Sequence, residues 1–407
     1  MNNTEDRTLE KTSTMTMAVE TAPSTSKAKL FFPNLDGLRF ISFFVVFLYH
    51  SYMSFFAYLK ESSPGFYKAI KFLFGHGNLG VNFFFVLSGF LITLLLIREK
   101  EIKGKINVGN FYVRRILRIW PLYYMCILIS FVIFPMIKSM SGEAYVESAN
   151  PLYYVLFAAN FDFMNIWPDF PDALMLSVLW SVAVEEQFYL TWPLILAIVP
   201  LRKYKFVFPA IMLGSLVFRS FYTGSAETVH AVRYFHTFSV IGDMALGGLF
   251  AYLSSYENPF RSFIVNMKKP VIALIYIGAL FFALFKHIIF TCGVPIIFER
   301  LVIGFFFGMI ILEQNYSEHS FFKMGRFKVM SKLGVYTYGL YCLHLMGMYV
   351  VARVTGMLNV NQESIPVAIL SVIMALLLSI GISLASYHLF EKWFLKLKDR
   401  FAVIVKG

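Results

Sequence analysis

Charge is scarce in this chain. Asp, Glu, Lys and Arg supply 15% of its 407 residues, against 58% hydrophobic and 18% aromatic. A soluble domain carries about a quarter charged residues, so the composition excludes an ordinary soluble domain and points to a polytopic membrane protein. Cysteine is scarcer still. Cys126, Cys292 and Cys342 all sit in apolar runs with no CxxC or Cys/His spacing, which excludes a disulfide framework and a zinc site and leaves three buried small hydrophobes. No HExxH, Walker loop, GxSxG or dinucleotide fingerprint occurs, so hydrolase, ATPase and dehydrogenase readings have no residues to rest on. No metal and no permanently bound cofactor is expected. Residues 1–30 hold seven Thr and three Ser but no apolar core, which excludes a secretory signal and reads as a disordered cytoplasmic tail. Internal repeats and a second, soluble domain are missing too.

What the chain has instead is apolar length. Ten spanning segments can be drawn, at 36–59, 79–97, 113–136, 178–200, 206–223, 237–255, 270–287, 297–314, 334–354 and 364–388. The fold class expected is therefore an all-α polytopic membrane protein. Its parts are the tail 1–30, a membrane domain at 31–393 and a cytoplasmic tail at 394–407. With an inside N-terminus, the cytoplasmic regions and helix entrances hold 27 of the 36 Lys and Arg. That bias is the positive-inside pattern, and it puts both ends in the cytoplasm. The net charge of +12 accordingly belongs to membrane orientation; the lipid bilayer is the partner it implies, and no nucleic acid is expected. Residues 137–177 break the pattern. The apolar stretch at 151–160 is too short to span and precedes Asp162, Asp169 and Asp172. A re-entrant or interfacial outer segment fits, serving as a capping loop or as a lip for an acceptor.

The polar residues inside apolar segments are the candidates for chemistry. Arg39 and His50 are eleven residues apart, roughly 16 Å along a helix and nearly whole turns around it, so they share a face. A histidine near mid-membrane needs a polar partner and is either a packing residue or a functional one. Arg114, Arg115 and Arg118 cluster at the start of the third segment, where paired guanidinium hydrogen bonds could grip phosphate or merely meet lipid headgroups. Glu185 approaches the depth of His50 from the other face, and a Glu–His pair would make the imidazole a better base; a Glu–Arg bridge and a solvated carboxylate are the alternatives. Asn82, Ser88 and Gly89 suit close helix packing or a cavity wall. Asp243 is an intramembrane acid of unknown partner, and His344 lies near mid-depth of the ninth segment. Trp180, Tyr189 and Trp192 read first as packing aromatics.

These motifs together resemble the acyltransferase-3 family of integral membrane O-acyltransferases. The likeness runs from LDGLR…H (Leu35 to His50) through GVNFFFVLSGFLI, FYVRRILRIWPLYY and LWSVAVEEQFYL to GLYCLHL and YHLFEKW, covering nearly everything after the first tail. The resemblance implies about ten spans and transfer of an acyl group, commonly acetyl, from cytosolic acyl-CoA to a carbohydrate hydroxyl at the outer side. The family's arginine and histidine fall on Arg39 and His50, its paired arginines on Arg115 and Arg118, and its glutamate on Glu185. Some relatives append an extracytoplasmic hydrolase-like domain, for which this chain has no room, so transfer would finish within the membrane domain.

The expected mechanism docks acyl-CoA phosphates on Arg115 and Arg118, with Arg39 and Arg114 near. His50, oriented by Glu185, then acts as base or as covalent acyl carrier. The same buried polar residues could instead line the path of a transporter or exporter of a glycan or small anion.

Overall fold

The computed structural model describes residues 28–29, 32–291, 293–401 and 404–405. Apart from Ala28 and Lys29, the expected tail at 1–30 lies outside the described residues, as does Cys292. Ten helices of 17 or more residues make the body: α1 (Pro33–Ser54), α2 (Asn78–Lys103), α3 (Val108–Leu128), α4 (Leu179–Ile198), α5 (Tyr204–Ser220), α6 (Thr237–Ser255), α7 (Lys269–Ile289), α8 (Val294–Tyr316), α9 (Thr337–Met357) and α10 (Ile365–Ser386). They fall on the ten apolar segments of the sequence. Local signals set their ends. Proline stands in the first turn of α1, α7, α8 and α10, where its missing N–H costs nothing. Asn107 caps α3 by accepting the Asn110 amide at 2.9 Å, and Gly104, at φ +71°, ends α2 in the left-handed conformation.

Length and composition alone make seven helices able to cross a membrane, namely α2, α3 and α6 to α10 with their short extensions. The other three fall short for stated reasons. α1 carries Asp36, Arg39 and His50, and α4 carries Glu185, Glu186 and Gln187. α5 has 17 residues, about 25 Å of helix against a hydrocarbon core of roughly 30 Å. Seven apolar helices are enough to make this an integral membrane protein.

The bundle closes where small residues let backbones meet. A Cβ on Gly89 of α2 would lie 2.0 Å from the Met244 carbonyl oxygen of α6, and one on Gly247 equally close to the Val86 oxygen. Glycine is obligatory at both crossings, and the packing reading of Gly89 holds. α1 lies against α2 and α9, which delivers its polar face to the middle of the bundle. Phe43, Phe47, Tyr123, Phe188 and Trp192 fill the core around that face. Cys126 and Cys342 are free and buried in it.

The segment at 137–177 folds into short helices, Pro151–Val155 and Ala159–Ile166. Its aspartates mostly hold it together. Asp162 is buried and accepts the Asn150 amide at 3.0 Å, while Asp172 pairs with Lys138 and accepts the Val146 amide at 3.1 Å. Burial, chiefly, raises the Asp162 carboxyl above its ordinary pKa. The Asp162 carboxylate serves as a staple between the two short helices. At the other end, residues 392–398 continue as helix, and Ile404–Val405 pairs in parallel with Ala28–Lys29. The two described ends of the chain therefore lie side by side.

Candidate functional site

A cavity of about 200 Å³ opens among α1, α2, α3, α4 and α9. Arg39 enters it from the first turns of α1, and Arg115 and Arg118 enter from α3; Ser88 of α2 and Glu185 of α4 lie in the same wall. Three guanidinium groups face one carboxylate, so an anion is favoured there. Arg39 and Arg115 are held in different ways. Arg39 pairs with Asp36, one turn back on its own helix. Arg115 lies over the rings of Phe111 and Tyr189, at 5.4 and 5.3 Å, and its Nε is buried with no hydrogen-bond partner. An unsatisfied buried donor costs about 1–3 kcal/mol, which an anionic ligand would recover. Glu185 accepts the Ser88 hydroxyl at 2.6 Å and the Tyr189 hydroxyl at 3.3 Å.

His50 does not line this cavity. Its Nδ1 lies 3.0 Å from Nε2 of His344, and His344 Nδ1 lies 2.8 Å from the Tyr341 carbonyl oxygen. A carbonyl oxygen only accepts, so the proton of neutral His344 sits on Nδ1 and its Nε2 is a bare acceptor. His50 must then donate from Nδ1, and its Nε2 keeps a free lone pair. His344 is fully buried, wedged against Phe43 and Phe47 with ring centroids 5.7 and 6.3 Å away, whereas His50 is only half-buried. The fixed ring thus orients the accessible one. Tyr341 joins the two places. Its ring borders the arginine cavity beside Phe84, 5.8 Å away, its hydroxyl meets Ser181 Oγ at 2.6 Å, and His344 is one turn further along α9.

Several expectations change here. Glu185 was expected to pair with His50, but it belongs to the arginine wall and the partner of His50 is His344. α4 presents Glu185 towards Ser88 of α2, whereas α9 crosses α1 at the level of His50. Arg114 leaves the cluster: a helix turns about 100° per residue, which carries its side chain away from Arg115 to Glu99, at 3.0 Å, and to the Phe401 carbonyl, at 2.8 Å. Asn82 and Asp243 do not line the cavity either. Asn82 donates to Asp243 at 3.1 Å, and Arg300 pairs with Asp243 in a buried triad nearer the opposite end of the bundle. Tyr341 and Ser181 were missed as site residues, although both stand inside quoted motifs. Trp180 and Trp192 are packing residues: the Trp192 ring stacks on Phe208 and its indole N–H donates to Thr93. Among the described residues, no group of three or more His, Cys, Asp or Glu is placed to hold a metal ion.

Comparison with known proteins supplies the remaining context. The family described as "Acyltransferase domain" (Acyl_transf_3) matches residues 32–384, and so takes in α1 through most of α10. The chain is similar to O-acetyltransferase OatA of Staphylococcus aureus strains NCTC 8325 / PS 47, COL and MRSA252. Each is 30% identical over 276 residues, which cover 65% of this chain and 41% of the relative. The chain thus matches well under half the length of these curated relatives. No solved structure matches it.

Proposed function

The chain belongs to the acyltransferase-3 family, matched from residue 32 to residue 384, and from that premise we propose that it is a membrane O-acetyltransferase using cytosolic acetyl-CoA. The observation that carries this is the relay from the Tyr341 carbonyl through His344 to His50, which leaves one bare nitrogen, His50 Nε2, at the end of a buried chain. A fixed tautomer with a free lone pair is what a general base or a nucleophile requires. The arginine cavity supplies the complementary half, an anion grip for the donor's phosphates on Arg39, Arg115 and Arg118. The expected orienting role of Glu185 passes to His344, and Glu185 instead holds Ser88 and Tyr189, the ring on which Arg115 lies.

Two routes use the same atom. In one, the lone pair on His50 Nε2 attacks the thioester carbonyl and the C–S bond breaks to release coenzyme A as thiolate; the acceptor hydroxyl later displaces the imidazole, and its proton passes by way of Nε2 to the thiolate or to water, which restores neutral His50. In the other, Nε2 takes the hydroxyl proton as the oxygen attacks, and the departing thiolate receives that proton. In both, His344 accepts from the Nδ1–H of His50 and stabilises the positive charge that develops on the ring.

The ten long helices all cross in this reading. The pairing of the two described chain ends supports it, because ends on one side need an even number of crossings. The loop charges put that side in the cytoplasm, along with the arginine cavity. The acceptor then is a carbohydrate hydroxyl arriving from the outer side. Purified protein in lipid nanodiscs, given radiolabelled acetyl-CoA and a mixed carbohydrate acceptor, should form alkali-labile ester. Absence of ester formation, with substrate flux across the membrane instead, would overturn the enzyme reading in favour of a carrier.

A further inference from the structure

Two hydroxyls in the wall of the arginine cavity take no part in the chemistry above. Ser181 of α4 and Tyr341 of α9 both line the cavity, and their side-chain oxygens lie 2.6 Å apart. The helices that carry them lead away from the arginines. On α4, Arg115 lies over the Tyr189 ring at 5.3 Å. Glu185 is one turn back from Tyr189 and Ser181 two, roughly 12 Å along the helix axis. On α9, Thr337 and Tyr338 line the cavity ahead of Tyr341, and His344 follows three residues later with its ring 6.2 Å from that of Tyr341. The hydroxyl pair therefore stands between the anion grip and the histidine relay. Phe84 borders it, edge-on to the Tyr341 ring at 5.8 Å.

Each hydroxyl has one proton to give. Ser181 gives its proton to the Val178 carbonyl at 3.1 Å, so its oxygen accepts from Tyr341. The bond between the two oxygens can equally run the other way. When a carbonyl oxygen enters the cavity, Tyr341 can turn its proton to it, and Ser181 can turn its own proton from Val178 to the Tyr341 oxygen. The number of hydrogen bonds is the same before and after. Val178 immediately precedes α4, so its carbonyl keeps the first hydrogen bond of that helix. A phenol that accepts one hydrogen bond also donates a stronger one. The pair thus changes from a closed tie between α4 and α9 into a donor aimed into the cavity. A thioester carbonyl is the acceptor this suits. It is neutral, so the arginines have no call on it, and in an acyl-CoA it lies at the opposite end from the phosphates.

We propose that Tyr341, supported by Ser181, holds the thioester carbonyl of the donor and stabilises the oxyanion it becomes. As a nucleophile adds to the carbonyl carbon, the C=O π pair moves to oxygen; when the C–S bond breaks, that pair returns and the thiolate leaves. Tyr341 keeps its proton throughout and supplies only the hydrogen bond. The assignment rests on the acetyl-transfer reading for this step and on the cavity wall for the binding, so the two are tested apart. Binding is measured by calorimetry on the full chain in nanodiscs, without acceptor, using two inert donor analogues. One is the ketone in which CH2 replaces the thioester sulfur of acetyl-CoA; the other is S-ethyl-CoA, in which CH2 replaces the carbonyl. Wild type should prefer the ketone about fivefold, the effect of one neutral hydrogen bond. Tyr341→Phe should lose that preference while its affinity for S-ethyl-CoA stays the same, whereas loss of a structural tie would weaken both analogues together. In transfer assays the same variant should lower kcat about a hundredfold with the donor KM changed only severalfold. Where Tyr341→Phe binds neither analogue, Ser181→Ala carries the comparison and should show a reduced preference. No preference in wild type, the full preference in the variant that carries the comparison, or loss of both analogues in both variants overturns the clamp. A wild-type protein that shows the preference but transfers no acetyl group overturns the reaction instead.

Discussion

The two ends of this bundle handle charge in opposite ways. At one end Arg39, Arg115 and Arg118 face a cavity with Glu185 as the single acid in its wall. At the other, Arg300 pairs with Asp243, and Glu299 lies 3.7 Å from Arg219 and 3.8 Å from Lys286. An excess of one sign, with a buried guanidinium nitrogen left unpaired, is poised for an anion that comes and goes. Acids set directly between cations instead leave each buried charge with an opposite neighbour. His50 stands between them, its Nδ1 held 3.0 Å from His344 Nε2. The difference teaches that a membrane bundle can keep many buried charges if each end solves its own electrostatics and only one neutral pair occupies the middle.

Substitutions can break or sharpen that contrast. The largest loss is expected for His50→Ala, which removes the junction: ester formation should fall by about a thousandfold or more with acetyl-CoA affinity intact, measured by radiolabel transfer; retained activity would remove His50 from the chemistry. Asp243→Ala strikes the buried network at the opposite end, leaving Arg300 uncompensated. Breaking a buried pair costs about 3–5 kcal/mol, so thermal unfolding in detergent should shift sharply downward, and an unchanged midpoint would mean that the pair contributes little. His344→Ala frees His50 to rotate and should cost on the order of a hundredfold in rate, while His344→Gln, which can still accept from Nδ1–H, should recover part of it; equal losses in both variants would contradict the relay. At the arginine end, Arg115→Ala or Arg118→Ala should weaken acetyl-CoA about tenfold or more by calorimetry, whereas Arg114→Ala should leave it nearly unchanged. The reverse ranking would move the anion grip. The smallest effect is expected at Asp162. Its folded pKa is raised by burial, so its carboxyl favours folding when protonated and that contribution is lost as pH rises through the folded value. Asp162→Asn should therefore raise the midpoint slightly at neutral pH, with little change in acid.

The sequence by itself determined the list of long helices. Apolar runs of membrane length fix helices whatever their neighbours, because unpaired backbone groups are intolerable in hydrocarbon, and the boundaries of α6 match the drawn segment at both ends. Helical spacing also gave away Arg115 and Arg118, since residues three apart share a face of one helix. The motif order made the family legible. What only the tertiary structure decided was who meets whom between helices. Glu185 and His50 were paired on depth alone, but depth does not fix the rotation of α4 against α1. Packing turned Glu185 towards Ser88 and brought His344 of α9 to His50 instead. The Asp243–Arg300 pair was invisible for the same reason: the two residues stand on different helices, α6 and α8, and no periodicity links them. A helix fixes its own faces; only the close approach of neighbouring backbones, as at Gly89 and Gly247, fixes which faces touch.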